Sequence, residues 1–127
     1  MKLFTKTTLA VAGISLASMA FAADPLANTT WQTFDEGQPK GTVKITESNG
    51  VLTGTLIAAN TAKGKQHVGT TVIKGLKSDG GGKYSGGTIT DPAKGKDYRM
   101  TATLSGNTLN IKGYIGPFSR SQQWKKK

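Results

Sequence analysis

Asn49-Gly50 constrains this chain more than any other dipeptide. It stands between two runs that alternate apolar and polar residues, where Asn-Gly is the strongest short signal for a two-residue β-hairpin. A type I′ turn there sets Val43 opposite Leu56 and Ile45 opposite Gly54. Ser105-Gly106-Asn107-Thr108 allows a second two-residue turn, which pairs Leu104 with Leu109 and Ala102 with Ile111. Asp91-Pro92-Ala93-Lys94-Gly95 has the chemistry of a longer loop. Asp91 starts the turn, Pro92 presets the next φ, and Gly95 takes the left-handed position. That loop pairs Ile89 with Tyr98 and Gly87 with Met100. All six pairings come from turns alone, yet each sets apolar residues opposite apolar residues or Gly. The other face collects Thr42, Lys44, Thr46, Arg99, Thr101, Thr103, Asn110 and Lys112. This agreement of turn chemistry with hydrophobic pattern is what a specified register requires.

The same punctuation runs along the chain. Eight strand-like segments are expected: Thr30–Phe34, Thr42–Ser48, Val51–Ala58, Thr70–Lys77, Lys83–Asp91, Lys96–Ser105, Thr108–Ile115 and Ser119–Lys125. Asn60–Gly69 is polar, rich in Gly and Lys, and reads as a loop. A series of hairpins with one dry face must close into a barrel or stack into a sandwich to hide that face. An outer-membrane barrel is excluded, because it turns its apolar face outward to lipid and this wet face carries Lys and Arg.

Residues 1–22, MKLFTKTTLAVAGISLASMAFA, have the three parts of a secretory signal. Lys2 and Lys6 form a positive region, Leu9 to Phe21 carries no charge, and Ala20-Phe21-Ala22 supplies a cleavage site. The apolar run is too short for a membrane span. One domain, 23–127, is expected to follow, placed in the periplasm or secreted. With no Cys, lipid attachment at the cleavage site, disulfides and thiolate metal sites are all excluded. The whole chain has 17 basic and 7 acidic residues; removing Lys2 and Lys6 leaves 15 basic residues and a net charge of +8. That charge suits anionic partners as well as a self-repelling soluble surface. Nucleic acid is not expected, since no recognition motif is present.

Candidates for chemistry are few. His67 is the only His and sits in a basic loop without neighbouring carboxylates, so it makes no ordinary zinc site. Asp91 and Asp97 flank the Pro-Gly turn, where a carboxylate pair could do acid–base work. Asp91 has a sufficient local role as a turn cap, and the register turns Asp97 outward. Asp35-Glu36 lie in a polar turn near Lys40. Ser119 and Ser121 lack a positioned base. Gly80-Gly81-Gly82 has no following helix to form a phosphate cradle and reads as a hairpin connection. Gly86-Gly87, within a strand, marks a bulge or a close backbone approach to a ligand. Tyr114, Phe118 and Trp124 lie near Arg120 and are expected to plug one end of the fold, with a recognition patch as the alternative.

From Gly75 to Trp124 the chain resembles the bacterial family known as domain of unknown function 2147. The matching pieces are G-G-x-I-x-D-P-x-x-G-K-x-Y, then L-x-I-x-G-Y-I-G with Gly113, Tyr114 and Gly116, then R-S-Q-x-W with Arg120 and Trp124. Trp31–Asp35 and the Val43–Ile45 strand fit as well. Family members commonly carry a longer middle segment with a Cys pair, which this chain lacks, so no redox or metal role comes with the resemblance. It implies an all-β fold, a small antiparallel up-and-down β-barrel of about eight strands similar to lipocalins and other calycins. Those barrels close their base with a first-strand Trp covered by a last-strand Arg. The likeness therefore implies a Trp31–Arg120 stack, worth about 0.5–2 kcal/mol.

The functional expectation is a non-catalytic binding module without a cofactor. Its barrel interior, lined by Val43, Ile45, Leu56, Ile89, Tyr98, Met100 and Ile111, would hold a small apolar or amphipathic ligand of the cell envelope. An eight-stranded barrel either fills itself or holds one small ligand. The alternative is a cationic protein that binds anionic lipid or polymer. An enzyme is the weakest reading, because no residue set supplies nucleophile, base and oxyanion donors.

Overall fold

The computed structural model describes residues 24–127; the expected leader, 1–22, lies outside the described residues. Eight strands follow one another: β1 (Thr29–Asp35), β2 (Gln38–Ser48), β3 (Val51–Ala59), β4 (Thr71–Gly80), β5 (Lys83–Asp91), β6 (Lys96–Ser105), β7 (Thr108–Ile115) and β8 (Phe118–Lys126). Each pairs antiparallel with the next, and β8 returns to β1, so the sheet closes into an up-and-down barrel. The expected bounds of β5, β6 and β7 match to the residue. The Asn60–Gly69 loop contains one short helix, α1 (Ala62–Lys65), whose Gly64 N–H donates to the Thr61 hydroxyl at 2.9 Å.

All six turn-derived pairings are present. Asn49 and Gly50 have φ of 54° and 81°, the pair of left-handed residues that a type I′ turn needs. The Asp91 carboxylate accepts from the N–H groups of Ala93 and Lys94 at 3.0 and 3.3 Å, so it caps the loop. Asp97 faces outward and accepts from the Thr90 hydroxyl at 2.5 Å.

Strand direction gives the barrel two unlike ends. The base holds the turns at residues 49–50, 80–82 and 106–107 and the entry to β1. The mouth holds the turns at 36–37, 92–95 and 116–117 and the 60–70 segment. Near the base the inner positions carry Trp31, Ile45, Leu52, Leu76, Tyr84, Leu109 and Trp124, all buried. Leu26 enters from the turn before β1 and is 0% exposed, so it seals the base from within the chain. Each such side chain contributes about 1.5–3 kcal/mol by leaving water.

Polar groups fasten the seal. The Tyr84 hydroxyl donates to Asp24 Oδ1 at 2.6 Å, the Leu26 N–H donates to the same oxygen at 2.8 Å, and the Asp24 N–H donates to Glu47 Oε1 at 3.3 Å. Burial, then the hydrogen bond and charge of Asp24, push the Tyr84 phenol well above its ordinary value.

Three expectations are corrected. Trp31 and Arg120 do not stack. Trp31 pairs with Lys126 of β8, six residues from Arg120, which at strand rise is about 20 Å away. Arg120 instead pairs with Gly113 toward the mouth, and the Trp31 indole N–H donates to the Thr29 hydroxyl at 2.7 Å. Second, Tyr114, Phe118 and Trp124 do not form one plug. Trp124 is buried at the base, Phe118 is 73% exposed at the mouth, and Tyr114 faces outward from β7. Third, Thr42 is buried rather than wet. The ladder shifts between Thr42 and Val43, so the alternation slips there, and the Lys127 ammonium covers Thr42 with a 3.2 Å hydrogen bond.

Candidate functional site at the barrel mouth

The seven interior residues singled out by sequence divide between the two halves of the barrel. Val43, Ile45, Met100 and Ile111 are at most 2% exposed and belong to the packed core. Leu56, Ile89 and Tyr98 occupy inner positions nearer the mouth and are only half-buried. Leu56 and Ile89 pack on the core from above.

The rim around them is apolar. Among the described residues the exposed large hydrophobics are Ile57, Val68, Ile115 and Phe118. Every one belongs to the mouth: the upper part of β3, the loop before β4, the end of β7 and the start of β8. Of this rim only Phe118 is singled out by the sequence, in the recognition-patch alternative. Ile57 falls within an expected strand between Leu56 and Ala58, and Val68 and Ile115 each stand beside a Gly, so no shared period links the four. Lining the same end, Gly113 leaves space on β7, where an added Cβ would meet only Ile89 Cγ2, at 3.7 Å. Arg120 lies across from Gly113 on β8, in step with the inward Gln122 and Trp124, and is exposed. Gln122 accepts from the Trp124 indole N–H at 2.9 Å, so polarity rises toward the mouth along this strand.

One side of the mouth is split. β1 and β8 share only the pairs Trp31↔Lys126 and Gln32↔Lys125. On the other side of β1 the ladder to β2 is bulged between Thr33 and Phe34, with Lys40 as the extra residue. A broad hollow of about 600 Å³ lies along the outer side of the β1–β8 seam, lined by Phe34, Asn110, Ser121, Gln122, Gln123 and Lys125. A smaller hollow of about 230 Å³ indents the outer wall beside Gly86, lined by Thr88, Arg99, Thr101 and Tyr114 among others.

The remaining candidates stay apart. His67 sits in the loop after α1 with its N–H on the Gly64 carbonyl at 2.9 Å. Asp35 and Glu36 are exposed in the β1–β2 turn. Ser119 and Ser121 are exposed on β8. Among the described residues no group of three or more His, Asp or Glu converges as a metal site would require.

The protein HP1028 of Helicobacter pylori, described as belonging to the lipocalin family, is similar in structure. The TM-score is 0.65 at 18% identity, over 79% of this chain and 82% of that one. At that identity the likeness shows a shared lipocalin-like barrel. No curated protein matches the chain. Residues 29–126, from the first strand to the last, match the pattern of DUF2147, "uncharacterized protein conserved in bacteria", and the chain belongs to that family.

Proposed function

We propose that this protein is a non-catalytic binding module that takes one small apolar or amphipathic ligand of the cell envelope at its mouth. The observation that carries the reading is the apolar rim of Ile57, Val68, Ile115 and Phe118 above half-buried Leu56, Ile89 and Tyr98. Exposed apolar side chains gathered at one end mark a binding surface more than scattered ones do. The filled base supports a ligand that enters only the upper part of the barrel, while Arg120 offers a cation to an anionic head. The lipocalin-like fold favours binding over catalysis. The same reading places the protein in the periplasm or outside the cell, with residues 1–22 removed and 23–127 as the working domain.

Native mass spectrometry of the exported protein, followed by titration with dodecanoate, tests this. A lipid-sized adduct, and saturable chemical-shift changes at Leu56, Ile89 and Tyr98, are expected. Ile89→Glu should abolish both and leave the fold intact. A ligand-free protein whose mouth residues ignore dodecanoate would overturn the reading.

A second reading is favoured by the exposed cations of the outer wall, Lys44, Lys74, Lys77, Arg99, Lys112 and Lys125. They suit an anionic lipid or polymer surface. Retention on phosphatidylglycerol vesicles that fades as salt rises would support it. Retention unaffected by salt, or none at all, would count against it.

A further inference from the structure

We infer that the outer wall carries a separate binding site, at the bulge in β5, for an anionic monosaccharide unit: a uronate or a sugar phosphate. It is independent of the mouth. The ladder passes from Tyr84↔Ala102 directly to Gly87↔Met100, so Ser85 and Gly86 together face Thr101. The extra residue is Gly86, with φ of +79°, and across from it Gly75 of β4 has φ of +69°. An added Cβ at Gly86 would find only the Gly75 carbonyl, at 4.0 Å. Gly86 thus brings bare backbone of β5 to the lining of the 230 Å³ hollow. Both glycines tolerate left-handed φ. Bulges of this kind recur beside functional sites, where they interrupt pairing and re-aim side chains.

The walls supply an ordered cation and hydroxyls. The Arg99 guanidinium lies over the Tyr114 ring at 5.3 Å from its centre, and the Tyr114 and Thr101 hydroxyls are 3.2 Å apart. Stacking holds the planar guanidinium in place while its edge remains able to donate a pair of hydrogen bonds to a carboxylate or phosphate. Thr88 adds another hydroxyl to the lining.

Cations outnumber acids around the hollow, four to two. Lys77 is paired with Ser85, Lys74 with Thr88 and Lys112 with Thr101, and all three are exposed. Two acids stand nearby, and each is already an acceptor. Asp79 takes the Ser85 hydroxyl at 2.6 Å and Asp97 takes that of Thr90 at 2.5 Å. Four cations around hydroxyls and open backbone suit a ligand that is both anionic and polyhydroxylated. The hollow is smaller than the roughly 300–1,000 Å³ of sites for drug-sized molecules, so it admits one ring with its charged group.

The test is an NMR titration of the exported protein with glucuronate and glucose 6-phosphate, with glucose and inorganic phosphate as comparisons. Either anionic sugar should shift the amides of Gly86, Gly87, Thr88 and Thr101 saturably, with Kd on the order of 1 mM. Arg99→Gln should weaken this about tenfold or more. Lys63→Gln, on α1, should leave it unchanged. A polyuronate that shifts the same amides identifies a polymer as the source, and a response to the monomers alone identifies a free sugar. Glucose binding as well as glucuronate, phosphate binding as well as glucose 6-phosphate, or no shift at these amides would each overturn the proposal. So would shifts confined to Leu56, Ile89 and Tyr98, a result that leaves the mouth reading standing.

Discussion

The base and the mouth of this barrel are made by the same eight strands and do opposite things. At the base the inner positions are buried except Leu104, which is half-buried, Leu26 seals it, and Asp24 ties the seal to Tyr84 and Glu47. At the mouth the inner side chains are half-buried, apolar residues stay in water, and β1 leaves β8 after two residue pairs. The difference teaches where stability and binding reside: one end carries the packing, which leaves the other free to present unfilled surface.

Substitution should separate the ends most clearly at Trp31. Trp31→Ala empties a fully buried site at the base and is expected to cost about 3–5 kcal/mol, read by urea denaturation. Phe118→Ser, at the rim, should stay within about 0.5 kcal/mol. A comparable loss at both positions would break the comparison. Leu26→Ala should follow at about 2–5 kcal/mol, with a urea slope unchanged if the barrel still unfolds as one unit.

Tyr84→Phe removes a buried hydroxyl bonded to a carboxylate and should cost about 1.5–3 kcal/mol. It also tests a pH effect. The folded state holds the Tyr84 phenol protonated beyond its ordinary range. The resulting stability is fully present below the unfolded value near 10 and is lost progressively as pH rises above it. Thermal melts of the native protein between about pH 9 and 11 should show this fall, and Tyr84→Phe should flatten it.

The smallest contrast concerns two inward glycines. A Cβ at Gly87 would meet the Lys74 carbonyl at 2.9 Å and Leu76 Cα at 3.0 Å, both backbone. Gly87→Ala should therefore cost about 1–3 kcal/mol by overpacking. Gly113→Ala has open space and should change stability by less than about 0.5 kcal/mol. Equal effects would mean that the mouth is packed like the middle of the barrel.

Much of the fold was legible because short turns dictate register. Asn49-Gly50, Gly106-Asn107 and Asp91–Gly95 placed six cross-strand pairs, and the same pairs set the inner face. What escaped was long-range or irregular. Tyr84 finds Asp24 across 60 positions, with no local pattern to announce it. The bulge after Thr33 and the slip at Thr42 each insert one residue into a ladder, which no alternation of apolar and polar residues encodes. The Trp31–Arg120 stack failed for a related reason: the likeness to lipocalins implied it, but the pairing of β8 with β1 runs through Lys125 and Lys126. Of the site, Leu56, Ile89 and Tyr98 were legible as inward residues. Their incomplete burial depends on how the strands part above them.

The short seam between β1 and β8 has a kinetic consequence. Every other pairing joins strands adjacent in sequence, so seven hairpins can form from local chain. The eighth joins Trp31 to Lys126, the longest loop closure in the domain, and only two residue pairs reward it. Closure of the ring should therefore come after the hairpins and reopen first. Amide exchange should mark Gln32, Lys125 and Lys127, whose N–H donates to the Thr30 carbonyl at 2.9 Å, as the earliest to trade hydrogen with water. A barrel built this way behaves as a curled ribbon with a clasp.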